Sequence, residues 1–227
     1  MSKPIEMTVV RHTVGASLGV SHARWLRGAF ASRFDRPEFH QHLEEGLLYR
    51  HPLIRYDVST GDAVVAGLAE GAMLLRSVPP FTEIRLGRET HQVLRHQREV
   101  MRVELGPTTS PLDYEFRSPY LALNQDNHAT WERNSEVDRR RLLERVIVGN
   151  LLSLSKAVGL HVEERLAAEV NLEPDGWHEI KPGVRLLGFR GTIRVNYLIP
   201  DLWGVGKSSA RGFGTLSKQG ESRGEDQ

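Results

Sequence analysis

Near the C-terminal end of this 227-residue chain, Pro200 to Leu216 reads PDLWGVGKSSARGFGTL and places four glycines, Gly204, Gly206, Gly212 and Gly214, within eleven residues. No regular helix or strand tolerates that density, so this stretch is a shaped loop. Glycines can take positive φ, and successive turns of that kind aim several N–H groups into one concavity able to hold a phosphate oxygen. Lys207, Ser208, Ser209 and Arg211 lie among them and add cationic and hydroxyl donors. The pattern fits a loop that touches a phosphodiester backbone, and equally a plain turn; spacing does not separate the two.

Three phosphate-binding signatures can be tested. A P-loop needs a glycine five positions before Gly206, and that position is Asp201. A dinucleotide fingerprint that starts at Gly204 and Gly206 needs its third glycine where Ser209 stands. Arg211-Gly212-Phe213-Gly214 begins like the RNA-recognition-motif signature, but too little chain follows to supply the helix and strand that belong after it.

Thirty Lys and Arg against twenty-nine Asp and Glu leave a net charge of +1, so any basic surface is local. The absence of cysteine excludes disulfides and thiolate chemistry and is compatible with a reducing compartment. No apolar run approaches the ~18 residues of a membrane span, and no N-terminal segment reads as a signal peptide. A cytoplasmic protein with no membrane partner is expected.

Alternating apolar residues from Ile5 to Val14 predict a first strand. A helix follows from an N-cap at Ser21, with Trp25, Leu26, Ala29 and Phe30 at helical spacing and Pro37 as its stop. Strands at 53–58 and 63–66, a helix over 68–78 closed by Pro79-Pro80, and a strand at 81–86 come next. The order strand-helix-strand-strand-helix-strand predicts a ferredoxin-like half. Gly106 to Pro111 reads as a linker, so residues 1–106 and 107–227 are expected to form two domains. In the second, Ser135 caps a long helix with the stripe Leu143, Ile147, Leu151, Leu154 and Val158, ended by Gly159. Strands at 165–172, 184–189 and 192–199 lead into the glycine-rich loop. Ser217 to Gln227 reads as a disordered tail. The fold class is α+β.

The run Gly204-Val205-Gly206-Lys207-Ser208-Ser209-Ala210-Arg211-Gly212-Phe213-Gly214 resembles the C-terminal loop of the CRISPR-associated endoribonucleases that cut precursor guide RNA within its repeats. Further blocks carry the likeness from about Arg24 to Leu216: Leu26-Arg27-Gly28, His40-Gln41-His42, Tyr49 to Tyr56, Val146 to Ser153, and Asn196 to Asp201. Arg55 stands where the family usually has glutamine, which puts a substrate contact in question. The resemblance implies two ferredoxin-like domains in tandem and a partner, CRISPR repeat RNA, with other CRISPR effector subunits as further partners.

It also implies a metal-independent, cofactor-free cut. A ribose 2′-hydroxyl attacks the adjacent phosphorus, leaving a 2′,3′-cyclic phosphate and a 5′-hydroxyl. Side chains two apart on extended chain share a face, so His40 and His42 can address one groove, and the resemblance makes this pair catalytic. Histidine suits acid-base work because its ordinary pKa, near ~6.5, lets both protonation states coexist. Tyr49 and Lys207 are candidate auxiliaries that stabilise charge. RNA binding is expected from Gly204, Gly206, Lys207, Ser208, Ser209, Arg211, Gly212 and Gly214, and from Arg139, Arg140 and Arg145 on the long helix. The same H-x-H pair fits a zinc site if His51 or Glu44 adds a third ligand. The rival readings are a catalytically idle subunit that only holds guide RNA, and a small-molecule enzyme on the same scaffold.

Overall fold

The computed structural model describes residues 1–19, 22–34, 51–58 and 61–220, with the backbone of two short strands at His42–Leu43 and Gly46–Leu47. The first half runs β1 (Lys3–Val14), α1 (His22–Arg33), the pair β2 (His42–Leu43) and β3 (Gly46–Leu47), β4 (Ile54–Asp57), β5 (Ala63–Leu68), α2 (Glu70–Arg76), β6 (Glu83–Leu86) and β7 (Glu89–Phe116). The second adds α3 (Gln125–Arg133), α4 (Glu136–Ala157), β8 (Ala168–Lys181), β9 (Val184–Leu198) and β10 (Leu216–Lys218).

Pairing in the first half follows β4-β5-β1-β7, all antiparallel, which is the ferredoxin-like order expected from the sequence. In the second half β10 and β9 both pair with the end of β7, and β8 pairs with β9. That order, β10-β7-β9-β8, is a second ferredoxin-like arrangement in which α3 and α4 make the first crossover. Where a second helix would stand, the chain supplies the glycine-rich loop.

The two halves share one strand. Gly106 to Pro111, expected as a linker, lies inside β7: Gly106 and Pro107 face Leu198 and Tyr197, and pairing resumes at Leu112 opposite Val195. The register shift absorbs the turn-forming residues as an irregularity of a continuous strand. The strands expected at 184–189 and 192–199 are likewise one strand, β9, and α3 was not anticipated. Ser217 and Lys218 are not tail but β10, paired with Glu115 and Tyr114.

α4 forms as its pattern dictates. The Ser135 hydroxyl accepts from the Asp138 N–H at 3.3 Å, and Gly159 takes φ +67° just past the end. Leu143, Ile147, Leu151 and Leu154 are buried against the second-half core with Phe189, Val195 and Tyr197. A second core gathers Leu26 and Phe30 of α1 with Val10, Val65 and Phe81. Among the described residues no helix is long and apolar enough to cross a membrane.

Candidate nucleic-acid interface

The glycine-rich loop is built on the junction of the two halves. Trp203 is buried, and its indole N–H donates to His51 Nε2 at 3.2 Å. Beside it Val205 N–H bonds Gly214 O, Lys207 N–H bonds Leu121 O and Gly214 N–H bonds Pro119 O. Several of the N–H groups that an anion nest needs are therefore already spent inside the protein. A Cβ on Gly214 would lie 2.0 Å from the Val205 carbonyl oxygen, and one on Gly206 would lie 2.5 Å from the Tyr120 ring. These glycines permit close backbone approach.

Arg55 of β4 locks the loop from the other half. Its guanidinium donates to Leu202 O at 2.6 Å in a part-buried contact, and to Thr215 Oγ1 at 2.7 Å and Asp57 Oδ2 at 2.8 Å in buried ones. The residue that departs from the usual glutamine is thus an internal tie and is not placed for substrate. His51 is equally committed: burial first, and the Arg55 charge second, hold its pKa down to about 3. A neutral, buried imidazole whose Nε2 already accepts from tryptophan is a poor third zinc ligand.

Above this junction lies an open groove of about 590 Å³. One wall is Gly206, Lys207, Ser208 and Arg211 of the loop; the facing wall is Val146, Gly149, Asn150 and Ser153 of α4. Arg27 of α1 and Asn127 of α3 border it. Lys207 is exposed, and Ser208 sits in the left-handed region at φ +59°. Arg211 donates to Ile180 O at 2.5 Å and to Ser208 Oγ at 2.8 Å. Burial, then the nearby charges of Arg27 and Arg24, lower its affinity for its proton. Three guanidinium groups so placed favour an anion between them.

The sequence-predicted residues separate into groups. Gly206, Lys207, Ser208, Arg211 and the largely buried Ser209 come together on the groove, whereas Gly204, Gly212 and Gly214 are buried in the loop's packing. Arg139 and Arg140 line a different cleft, with Trp131, Glu136 and Glu173. Arg139 lies over the Trp131 ring and donates to the Trp131 and Glu132 carbonyls, closing the end of α3. Arg145 is exposed on α4, one turn before Gly149. His40 and Tyr49 lie outside the described residues, as does the side chain of His42, whose backbone pairs with Leu47 in the β2–β3 hairpin. Arg24 and Arg27 were missed as site residues, although their i, i+3 spacing puts both on one helix face.

Comparison with known proteins agrees with this architecture. Residues 4–104 match the Cas6b N-terminal domain and residues 106–219 the Cas6b C-terminal domain. A crystal structure of Cas6b superposes with TM-score 0.88 at 29% identity over 96% of this chain and 100% of that one. A second, described as the CRISPR RNA processing endoribonuclease Cas6b, gives TM-score 0.74 at 27% identity over the same shares. An uncharacterized protein of Methanocaldococcus jannaschii is 34% identical over 134 residues, covering 59% of this chain and 90% of the relative. With both domain models matched in order along nearly its whole length, the chain belongs to the Cas6b family of the CRISPR-associated repeat-processing superfamily.

Proposed function

We propose that this protein is a metal-independent endoribonuclease that cuts CRISPR repeat RNA by 2′-hydroxyl attack and yields mature guide RNA. The observation that carries this is the groove itself. A chain with net charge +1 gathers Lys207, Arg211 and Arg27 around one open cleft formed by both halves. Cations concentrated against an otherwise balanced surface suit a polyanion.

The H-x-H segment is tethered to this cleft at both ends, by α1 on one side and by His51 and Pro52 on the other. Eight residues lie between His42 and the groove-lining His51, a chain of at most about 30 Å, and this connection is what supports assigning His40 and His42 to the groove. In this reading one histidine takes the proton from the 2′-hydroxyl as its oxygen bonds to phosphorus. The other gives a proton to the departing 5′-oxygen. Lys207 balances charge on the phosphate, and Tyr49 is an auxiliary donor.

Incubation with the repeat RNA of the host genome tests this. His40→Ala with His42→Ala should leave RNA binding intact and slow cutting by about two or more orders of magnitude. One 2′-deoxy nucleotide at the cut site should stop cleavage, and EDTA should change nothing. Normal cutting by the double variant refutes the histidine assignment; loss on chelation with recovery on added metal refutes the metal-free chemistry.

A further inference from the structure

The β8–β9 hairpin carries a feature that the groove does not use. Trp177 is 55% exposed, and among the described residues it is the only large apolar side chain of that hairpin left open. Its ring is not loose. The His128 ring lies 4.9 Å away, tilted by 54°, and Trp131 continues the aromatic group behind His128 at 6.2 Å. Across the hairpin Trp177 pairs with Leu187, which is buried. The indole is thus propped from the protein side and offers its remaining surface outward.

This platform adjoins the groove through two elements. His128 follows Asn127, which borders the groove on α3. Trp177 is three residues from Ile180, whose carbonyl accepts from Arg211 of the opposite wall, so the two stand about 10 Å apart along the strand. A single strand whose phosphates lie over Lys207 and Arg211 reaches Trp177 if it continues along β8 from Ile180.

The chemistry at the platform selects a base over a phosphate. Glu132 lies 3.6 Å from His128 Nδ1, and Asp175 stands two residues before Trp177, held by Arg190. Carboxylates repel phosphate, whereas an aromatic face accepts the π-face of any base. One isolated indole amid charged neighbours also lacks the contiguous apolar area of a protein-docking patch.

We infer that Trp177, braced by His128, is a stacking site for one unpaired base of the RNA lying in the groove. This rests on the RNA-cutting reading above and names a subsite of it. Base stacking on an aromatic residue is worth about 1–3 kcal/mol, so Trp177→Ala should weaken binding by a factor of about 5 to 150, and Trp177→Phe should restore most of the loss. The probe is the host repeat RNA, rendered non-cleavable by 2′-deoxy substitution and carrying one abasic site at successive positions, read by fluorescence anisotropy. With wild type, one position should lose affinity by a similar factor; with Trp177→Ala, that position should show no further loss. Trp177→Ala binding as tightly as wild type overturns the site, as does a weakening that no abasic position shares. If Trp177→Ala leaves RNA binding unchanged but abolishes binding to a second protein, the surface docks protein instead. If wild type itself fails to bind the repeat, the proposed function falls, which is a different result from any of these.

Discussion

Arg55 makes the loop's attachment measurable. Its side chain is 2% exposed and that of its partner Asp57 8%, so replacing Arg55 by methionine removes a cation from a closed site and leaves the Asp57 carboxylate without its guanidinium. Breaking a buried ion pair from one side typically costs about 3–5 kcal/mol. The Leu202 carbonyl also loses its 2.6 Å donor, a term of about 1–3 kcal/mol that overlaps the first because one side chain serves both. A total near ~4 kcal/mol follows, which at this chain length lowers Tm by roughly 10 °C. Urea unfolding at pH 7 followed by tryptophan emission measures it, since Trp203 is buried in the affected loop. Asp57→Asn in the Arg55→Met background should cost much less than it does alone, because the carboxylate it neutralises no longer has a cation. A loss under about 1 kcal/mol for Arg55→Met, or simple additivity in the double variant, refutes the role given to this network.

Lys207→Ala with Arg211→Ala should weaken binding of the repeat RNA and flatten its dependence on salt by between one and two phosphate contacts; an unchanged slope across a salt series removes the loop wall from the interface. Acid should destabilise the fold through His12 and His51, whose pKa values burial lowers to about 4 and about 3. Since the unfolded chain binds these protons near pH ~6.5, the stability they confer is complete above that pH and falls as pH drops toward the folded values, by about 1.5 kcal/mol each between pH 6.5 and 5. His12→Leu should flatten the pH dependence of the urea midpoint in that window, and an unaltered slope contradicts the assignment. Gly214→Ala, at φ +63° and with its methyl 2.0 Å from Val205 O, should cost about 2–4 kcal/mol, whereas Gly149→Ala on α4, with open space around the added carbon, should gain up to about 1 kcal/mol by calorimetry.

Local signals made much of the fold legible. The stripe and caps of α4 fixed a helix from Ser135 to Gly159, and the order of elements gave the ferredoxin-like arrangement. What failed were judgements in which a distant partner overrides local composition. Gly106, Pro107 and Pro111 are turn formers by composition, yet β9 pairs with Gly106 and Pro107, and Pro111 lies in the irregularity before pairing resumes at Leu112. β10 has one buried apolar residue, Leu216, and exists because β7 has a free edge beside it. At the groove, glycine density marked the loop that forms one wall but not how its glycines pack, and Arg55 gave no sign in sequence that it would point inward. Arg139, expected from sequence to contact RNA, lies over the ring of Trp131, eight residues earlier, and donates to its carbonyl, a local contact that helix spacing does not reveal.

The replacement of a second crossover helix by the loop explains both the glycines and the groove. A helix with side chains is about 10 Å thick and would hold the first half away from the second. The loop is thin where it crosses: a Cβ on Gly212 would lie 3.3 Å from that of Ala23 in α1, and one on Gly204 would lie 2.7 Å from Arg55 Nη1. Backbone contact with both α1 and β4 therefore sets the spacing of the halves. That spacing brings Arg27 and Arg24 of the first half near Arg211 of the second, a mutual repulsion that an isolated domain would not carry. The buried glycines act on the groove indirectly, by fixing how closely cations from separate halves approach. Lys207, at the exposed crest of the loop, is then presented over a charge cluster to which both domains contribute, and the groove needs the whole chain to exist.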